Sequence, residues 1–181
     1  MEQPHDTYSG PSARLAKSWK SRPCPNPSAG AGADANAAVT PFSGGILADD
    51  MGLGKTLEMI ALILREPQSG STLIVAPKGV LSNWEKQIRC HIRWNHAPKV
   101  YRYHGSGSYV TPNELERNDI VVTTYQKVAD EAYGEGTLRK IRWRRVILDE
   151  GHTIRNPDSM AALGACKLRA KSYWVCTGTP M

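Results

Sequence analysis

From Phe42 onward, short apolar runs alternate with amphipathic stretches. Gly45 to Ala48 reads as a short buried strand. Lys55 to Arg65 predicts a helix, with Leu57, Ile60, Ala61 and Leu64 at helical spacing and a stop before Pro67. Thr72 to Ala76 predicts a second buried strand, and Val80 to Ile92 a helix with Leu81, Trp84, Ile88 and Ile92 on one face. Lys99 to Tyr103, Ile120 to Thr123, Arg145 to Leu148 and Ser172 to Cys176 read as further strands, and Ser159 to Leu168 as a helix. Strands apolar on both faces, alternating with helices, point to the α/β class: a mainly parallel sheet with helices on both faces.

Residues 1–41 break this pattern. They are rich in Pro, Gly, Ala, Ser and Asn, and the run from Pro23 to Pro27 fits neither a helix interior nor a central strand. The segment reads as a flexible arm or surface insertion ahead of a folded unit at 42–181. Arg14, Lys17, Lys20 and Arg22 give it positive charge, as a solvated linker or a nucleic-acid arm would have.

The chain of 181 residues suits one domain with a real core, and 40% apolar with 22% charged residues is a globular balance. A net charge of +6 fits a polyanionic partner, as it fits many soluble proteins. Cys24, Cys90, Cys166 and Cys176 form no CxxC pair and match no zinc spacing. The reading is a reduced, intracellular protein, with Cys166 and Cys176 in the core. No stretch is long and apolar enough to span a membrane as a helix.

The candidate chemistry begins after the first strand. Gly44 to Leu57 runs strand, glycine-rich turn, helix. Amides in such a turn cradle phosphate oxygens, glycine allows the close approach, and the helix start adds a positive dipole end. Asp50, Met51, Gly52, Leu53, Gly54, Lys55 and Thr56 form the candidate nucleotide-binding set. Lys55 would reach the β- and γ-phosphates of ATP, and the Thr56 hydroxyl would ligate Mg²⁺. The strict pattern GxxxxGK[ST] has Asp49 at its first position here, so the match is to the GxGKT tail.

Val146, Ile147 and Leu148 lead into Asp149, Glu150, Gly151 and His152. The carboxyl ends of strands are where open α/β sheets bind ligands. Asp149 would hold Mg²⁺, directly or through water, and Glu150 would orient and deprotonate the attacking water. His152 is read as a contact to the γ-phosphate region or a relay to a neighbouring motif. Taken alone, an acidic pair after a strand is also an ordinary helix cap.

The blocks GGILADDMGLGKT, TLIVAPKGVLSNWEKQI, YHG, DIVVTTY, RRVILDEGHTIRN and WVCTGTPM, in this order, resemble motifs I to III of the Swi/Snf family of superfamily-two helicase-like ATPases. Within it they look most like the branch of helicase-like transcription factor and the postreplication-repair translocases. The resemblance implies a RecA-like P-loop lobe that binds ATP and Mg²⁺, with duplex DNA along its surface and a nuclear location. It implies nucleic-acid contacts at Lys78, Thr123, Thr124 and Tyr125, and coupling of nucleotide state to DNA at Thr177, Gly178 and Thr179. Trp84 reads as a packing residue. The cluster Lys140, Arg142, Arg144 and Arg145 reads as a solvated strand face or a DNA-facing edge.

Two departures from the family stand out. No upstream helix carries the glutamine that would contact adenine, because Gln3 sits in no apolar helix. The second RecA-like lobe, which supplies arginines across the ATP site, is missing from the chain. Arginine fingers contribute about a thousandfold or more to turnover in related ATPases, so the isolated chain is expected to hydrolyse ATP slowly or not at all. The chain therefore reads as one lobe of a DNA-dependent ATPase, with two alternatives. One is an incomplete fragment that only binds DNA or protein; the other is a related RNA helicase.

Overall fold

The computed structural model describes residues 43–65, 70–105, 110–133 and 136–178. The proline- and glycine-rich segment read as an arm lies outside them, as do Gln3 and Thr179. Among the described residues, six strands and six α-helices follow one another in the order β1 (Gly44–Leu47), α1 (Lys55–Leu64), β2 (Thr72–Ala76), α2 (Leu81–His91), β3 (Val100–Tyr103), α3 (Pro112–Glu116), β4 (Ile120–Thr124), α4 (Tyr125–Asp130), α5 (Thr137–Lys140), β5 (Arg142–Asp149), α6 (Met160–Lys167) and β6 (Arg169–Cys176). The strands form one sheet in the order β1-β6-β5-β2-β4-β3, and every pairing is parallel.

A parallel sheet must be covered on both faces, and alternation along β2 shows how this is done. Leu73 and Val75 point into one core with Val128 of α4 and with Ala162 and Ala165 of α6. Ile74 and Ala76 point into the other, with Met59, Ile60 and Ile63 of α1 and Leu81, Trp84 and Ile88 of α2. All five residues of β2 and all five of β4 are buried, as central strands should be.

Three expectations need correction. β1 is not buried: it lies at the sheet edge, and Ile46 is 73% exposed. Second, α1 turns a different stripe inward. Its buried residues are Met59, Ile60 and Ile63, while Leu57 is exposed. The helix is apolar nearly all round, so periodicity alone does not choose a face. Lys55 and Thr56 share a face with residues one and two turns on, so placing them at the sheet edge sets Met59, Ile60 and Ile63 against the core. Third, β5 and β6 begin three residues earlier than predicted, and this takes in the basic cluster. Arg142 is exposed, but Trp143 is fully buried and Arg145 is 4% exposed, so the run is only partly a solvated face. Burial, then the neighbouring Arg144, lowers the Arg145 pKa. The short helices α3, α4 and α5 were not predicted.

Gly164 marks where α6 crosses α4. A Cβ there would lie 2.4 Å from the Val128 carbonyl oxygen. Alanine improves helix propensity by about 1 kcal/mol, whereas overpacking a tight contact costs roughly 1–3 kcal/mol. Gly164→Ala is therefore expected to destabilise the fold by up to about 2 kcal/mol, seen as a lower urea midpoint at unchanged slope. A raised midpoint would show that the crossing is looser than described.

Candidate functional site

In register, Leu47 of β1 lies beside Cys176 of β6, which lies beside Asp149 of β5. The three strands end at one level, so the segments that follow them share one edge. These are the glycine-rich loop after Leu47, Thr177-Gly178 after Cys176, and Glu150 to Ile154 after Asp149. Thr177 N donates to Leu47 O at 3.1 Å, tying two of these strand ends together. A Cβ on Gly178 would sit 2.9 Å from Met51 Cγ, so the turn after β6 packs directly against the glycine-rich loop.

The backbone of the loop leaves room for a bound group. Gly52 and Gly54 have φ of 87° and 92°, the left-handed region that favours glycine. A Cβ at either would meet nothing within 4 Å, so the space on that side is open to a bound group. Gly54 precedes α1, whose start carries no side-chain cap. Lys55 Nζ folds back and donates to the main-chain oxygens of Asp49 at 2.7 Å and Asp50 at 2.8 Å. The cation is thus held inside the loop it would share with a phosphate.

Asp149 is only 8% exposed. Its Oδ2 accepts from Trp84 Nε1 at 2.7 Å, its Oδ1 from Glu150 N at 3.0 Å, and its main-chain oxygen from the Tyr125 hydroxyl at 2.7 Å. Burial raises the carboxyl pKa, with Trp84 pulling it back down. Burial also pushes the Cys176 thiol up to about 12, with Asp149 adding to the effect, so this neighbour brings no charge of its own. Glu150 has φ 51°, the one positive φ of a non-glycine residue among the described residues. Its Oε2 is buried without a hydrogen bond and lies 3.2 Å from His152 Nδ1. A side chain in that conformation costs about 1–2 kcal/mol, which marks the turn as one shaped for more than connection.

A loop with room for phosphate, one lysine and a fixed carboxylate beside it fit a nucleotide carrying a divalent cation. No group of three His, Cys, Asp or Glu side chains converges among the described residues. Mg²⁺ is usually held by one or two carboxylates together with phosphates and waters, so a lone aspartate beside a phosphate cradle suits it.

The other candidate residues are placed differently. Lys78 is exposed in a 3₁₀ turn after β2. Thr123 is fully buried and its hydroxyl donates to Tyr103 O at 2.7 Å. The Thr124 hydroxyl accepts from Lys127 N and caps α4. Tyr125 is 5% exposed, with its hydroxyl committed to Asp149. Thr123 and Tyr125 therefore use their side chains inside the protein. Trp84 packs in the core as expected, but its bond to Asp149 went unforeseen. The available signal was chemical: a buried indole N–H needs an acceptor.

The sequence pattern of the SNF2-related domain matches residues 17–181. The chain belongs to the SNF2-related family. It is 41% identical over 161 residues to an uncharacterized ATP-dependent helicase of Schizosaccharomyces pombe, covering 76% of this chain and 16% of that protein. It is 41% identical over 118 residues to human helicase-like transcription factor, covering 64% of this chain and 12% of that protein. A solved SWI2/SNF2 ATPase core from Sulfolobus solfataricus, in complex with double-stranded DNA, superposes with a TM-score of 0.61 at 30% identity, over 77% of this chain and 28% of that one. The SNF2-related chain is thus RecA-like in fold, as the motif blocks implied, and spans well under a third of each of these proteins.

The raised pKa of Asp149 has a consequence for stability. A carboxyl whose folded pKa lies above its unfolded value binds more protons folded than unfolded between the two. Its contribution is therefore fullest below the unfolded pKa and declines as pH rises towards the folded one. Asp149→Asn removes this term. As pH rises above the usual carboxylate range, the variant's unfolding free energy, relative to the parent, is expected to move in the variant's favour. Urea unfolding at a series of pH values checks this, and parallel curves would refute it.

Proposed function

We propose that this chain is the ATP-binding lobe of a nuclear, DNA-dependent ATPase that translocates on duplex DNA in chromatin remodelling or DNA repair. The observation that carries this reading is the register row Leu47, Cys176 and Asp149, which sets the glycine-rich loop, the acidic pair and the coupling turn on one sheet edge.

The residues divide the work as follows. The amides from Asp50 to Gly54 surround the phosphates. Lys55 gives up the carbonyls of Asp49 and Asp50 and donates to the β- and γ-phosphoryl oxygens, exchanging two hydrogen bonds rather than desolvating a free cation. Thr56 and Asp149 are the residues that would hold Mg²⁺. When bound there with ATP, the ion would supply neutralisation of charge developing on the transferred phosphoryl group. Glu150 orients the attacking water and takes its proton, and its position directly after Asp149 at the sheet edge supports that role. His152 supports Glu150 from the solvent side. Thr177, Gly178 and Thr179 couple nucleotide state to DNA, and the packing of Met51 against Gly178 supports this.

Duplex DNA is the partner this reading requires. The Sulfolobus protein is an ATPase core in complex with double-stranded DNA, which supports the assignment. Lys78 offers an exposed cation after β2. Around Thr123, Thr124 and Tyr125 the contact to a phosphate would come from main-chain groups, because the side chains are engaged elsewhere. Such contacts are sequence-independent and weaken with salt. The reading also includes a second RecA-like lobe that supplies arginines across the ATP site, and residues 1–41 as an arm preceding this lobe.

The test is ATP hydrolysis with and without duplex DNA, in this chain and in a form joined to a second RecA-like lobe. DNA-stimulated, Mg²⁺-dependent turnover is expected in the two-lobed form, and Lys55→Ala is expected to lower kcat by about a hundredfold or more. Turnover indifferent to Lys55→Ala, or stimulated by RNA alone, would sink this reading.

A further inference from the structure

Among the described residues, two tryptophans are fully buried, with different partners. Trp143 Nε1 donates to Leu138 O at 2.9 Å, the ordinary solution for a core indole. Trp84 instead donates to a carboxylate, Oδ2 of Asp149, at 2.7 Å. The second oxygen of that carboxylate is taken by Glu150 N, so the plane of the group is fixed from both sides. The Tyr125 hydroxyl holds the main-chain oxygen of the same residue. Asp149 is therefore gripped by two aromatic donors from separate parts of the chain.

Both donors belong to segments assigned above to DNA. The turn Lys78–Val80 runs without a break into α2, and Trp84 lies in the first turn of that helix. Tyr125 directly follows Thr123 and Thr124 and opens α4. A displacement of either segment moves a donor bonded to Asp149, and a hydrogen bond weakens steeply once its angle and length depart from ideal.

We propose that Trp84 and Tyr125 are positioning residues for Asp149, and that they tie its place to the two segments facing duplex DNA. The proposal rests on the reading of Asp149 as a residue that holds Mg²⁺. On this view DNA need not touch the nucleotide to influence it. A phosphate bound at the Lys78 turn or beside Thr124 shifts an aromatic donor, and the donor shifts the carboxylate. A residue serving only the core would affect nucleotide binding equally with and without the metal. A positioning residue for the metal-holding carboxylate affects only the part that depends on Mg²⁺.

The test uses the complete two-lobed protein with Trp84→Phe and Tyr125→Phe. An isosteric control places β-(3-benzothienyl)alanine at position 84, which keeps the ring shape and replaces N–H by sulfur. Calorimetry measures ATP affinity with and without Mg²⁺, in the absence of DNA. Loss of one hydrogen bond to a charged group is expected to cut the Mg²⁺-dependent gain in affinity about tenfold in the position-84 variants. Metal-free ATP affinity and duplex-DNA affinity should stay within about twofold of the parent. Tyr125→Phe, which frees a main-chain oxygen, should give a smaller loss in the same quantity. In all three, the ratio of DNA-stimulated to basal hydrolysis should fall more than the basal rate. An unchanged Mg²⁺-dependent gain, or an equal loss with and without the metal, overturns this inference while leaving the ATPase reading in place. A parent protein that shows no Mg²⁺-dependent ATP binding overturns both.

Discussion

The parallel ladder joining β1, β6 and β5 is the constraint on which everything else here depends. Parallel pairing sends every strand the same way, so all strand ends of one polarity collect on one edge. The residues that follow Leu47, Asp149 and Cys176 come from distant parts of the sequence, yet this register makes them neighbours. The same pairing leaves both faces apolar, and α1 and α2 on one side with α4 and α6 on the other answer that demand. A one-residue slip between β5 and β6 would send Asp149 out of line with the loop and turn Val146 and Leu148 to the wrong face.

Much of this was legible before any coordinates. The central strands β2 and β4 are continuous apolar runs between turn signals, and their predicted limits lie within one residue of those observed. The glycine-rich loop and the Asp-Glu pair carry a local chemical signature, and six motif blocks in order identified the family and the fold. What stayed hidden depends on three-dimensional contact. The rotation of α1 follows from where Lys55 and Thr56 must point. The start of β5 was masked by charge, since Arg142, Arg144 and Arg145 read as surface, although Arg145 and Trp143 are buried. Tyr125 and Thr123 sit in a block that the resemblance assigns to nucleic acid, and only their packing reveals that their hydroxyls turn inward.

The site sets two demands in opposition. A carboxylate close to a multiply charged nucleotide works best in a dry, rigid place, where its interactions are strong. The same dryness favours the neutral acid. The fold resolves this with donors: an indole N–H and a main-chain N–H on the two oxygens of Asp149, and Lys55 near enough to add a favourable charge. Glu150 is treated in the opposite way. It is placed by an unfavourable backbone conformation, with one oxygen buried and faced only by His152 at 3.2 Å rather than by a fixed N–H donor.

The glycine-rich loop hangs from β1, the shortest kind of strand in the sheet and one that pairs on a single side among the described residues. Half of its length faces outward, and Ile46 stands clear of the core. Elements with few buried contacts open first, at a fraction of the free energy needed to unfold the whole domain. The acidic pair, by contrast, ends an eight-residue strand flanked on both sides by partners. The two halves of the site thus differ in mechanical grade. Of the two, the carboxylate side is the fixed jaw. The loop side is the yielding one, because the strand that carries it can fray at the sheet's margin while the centre of the domain stays folded.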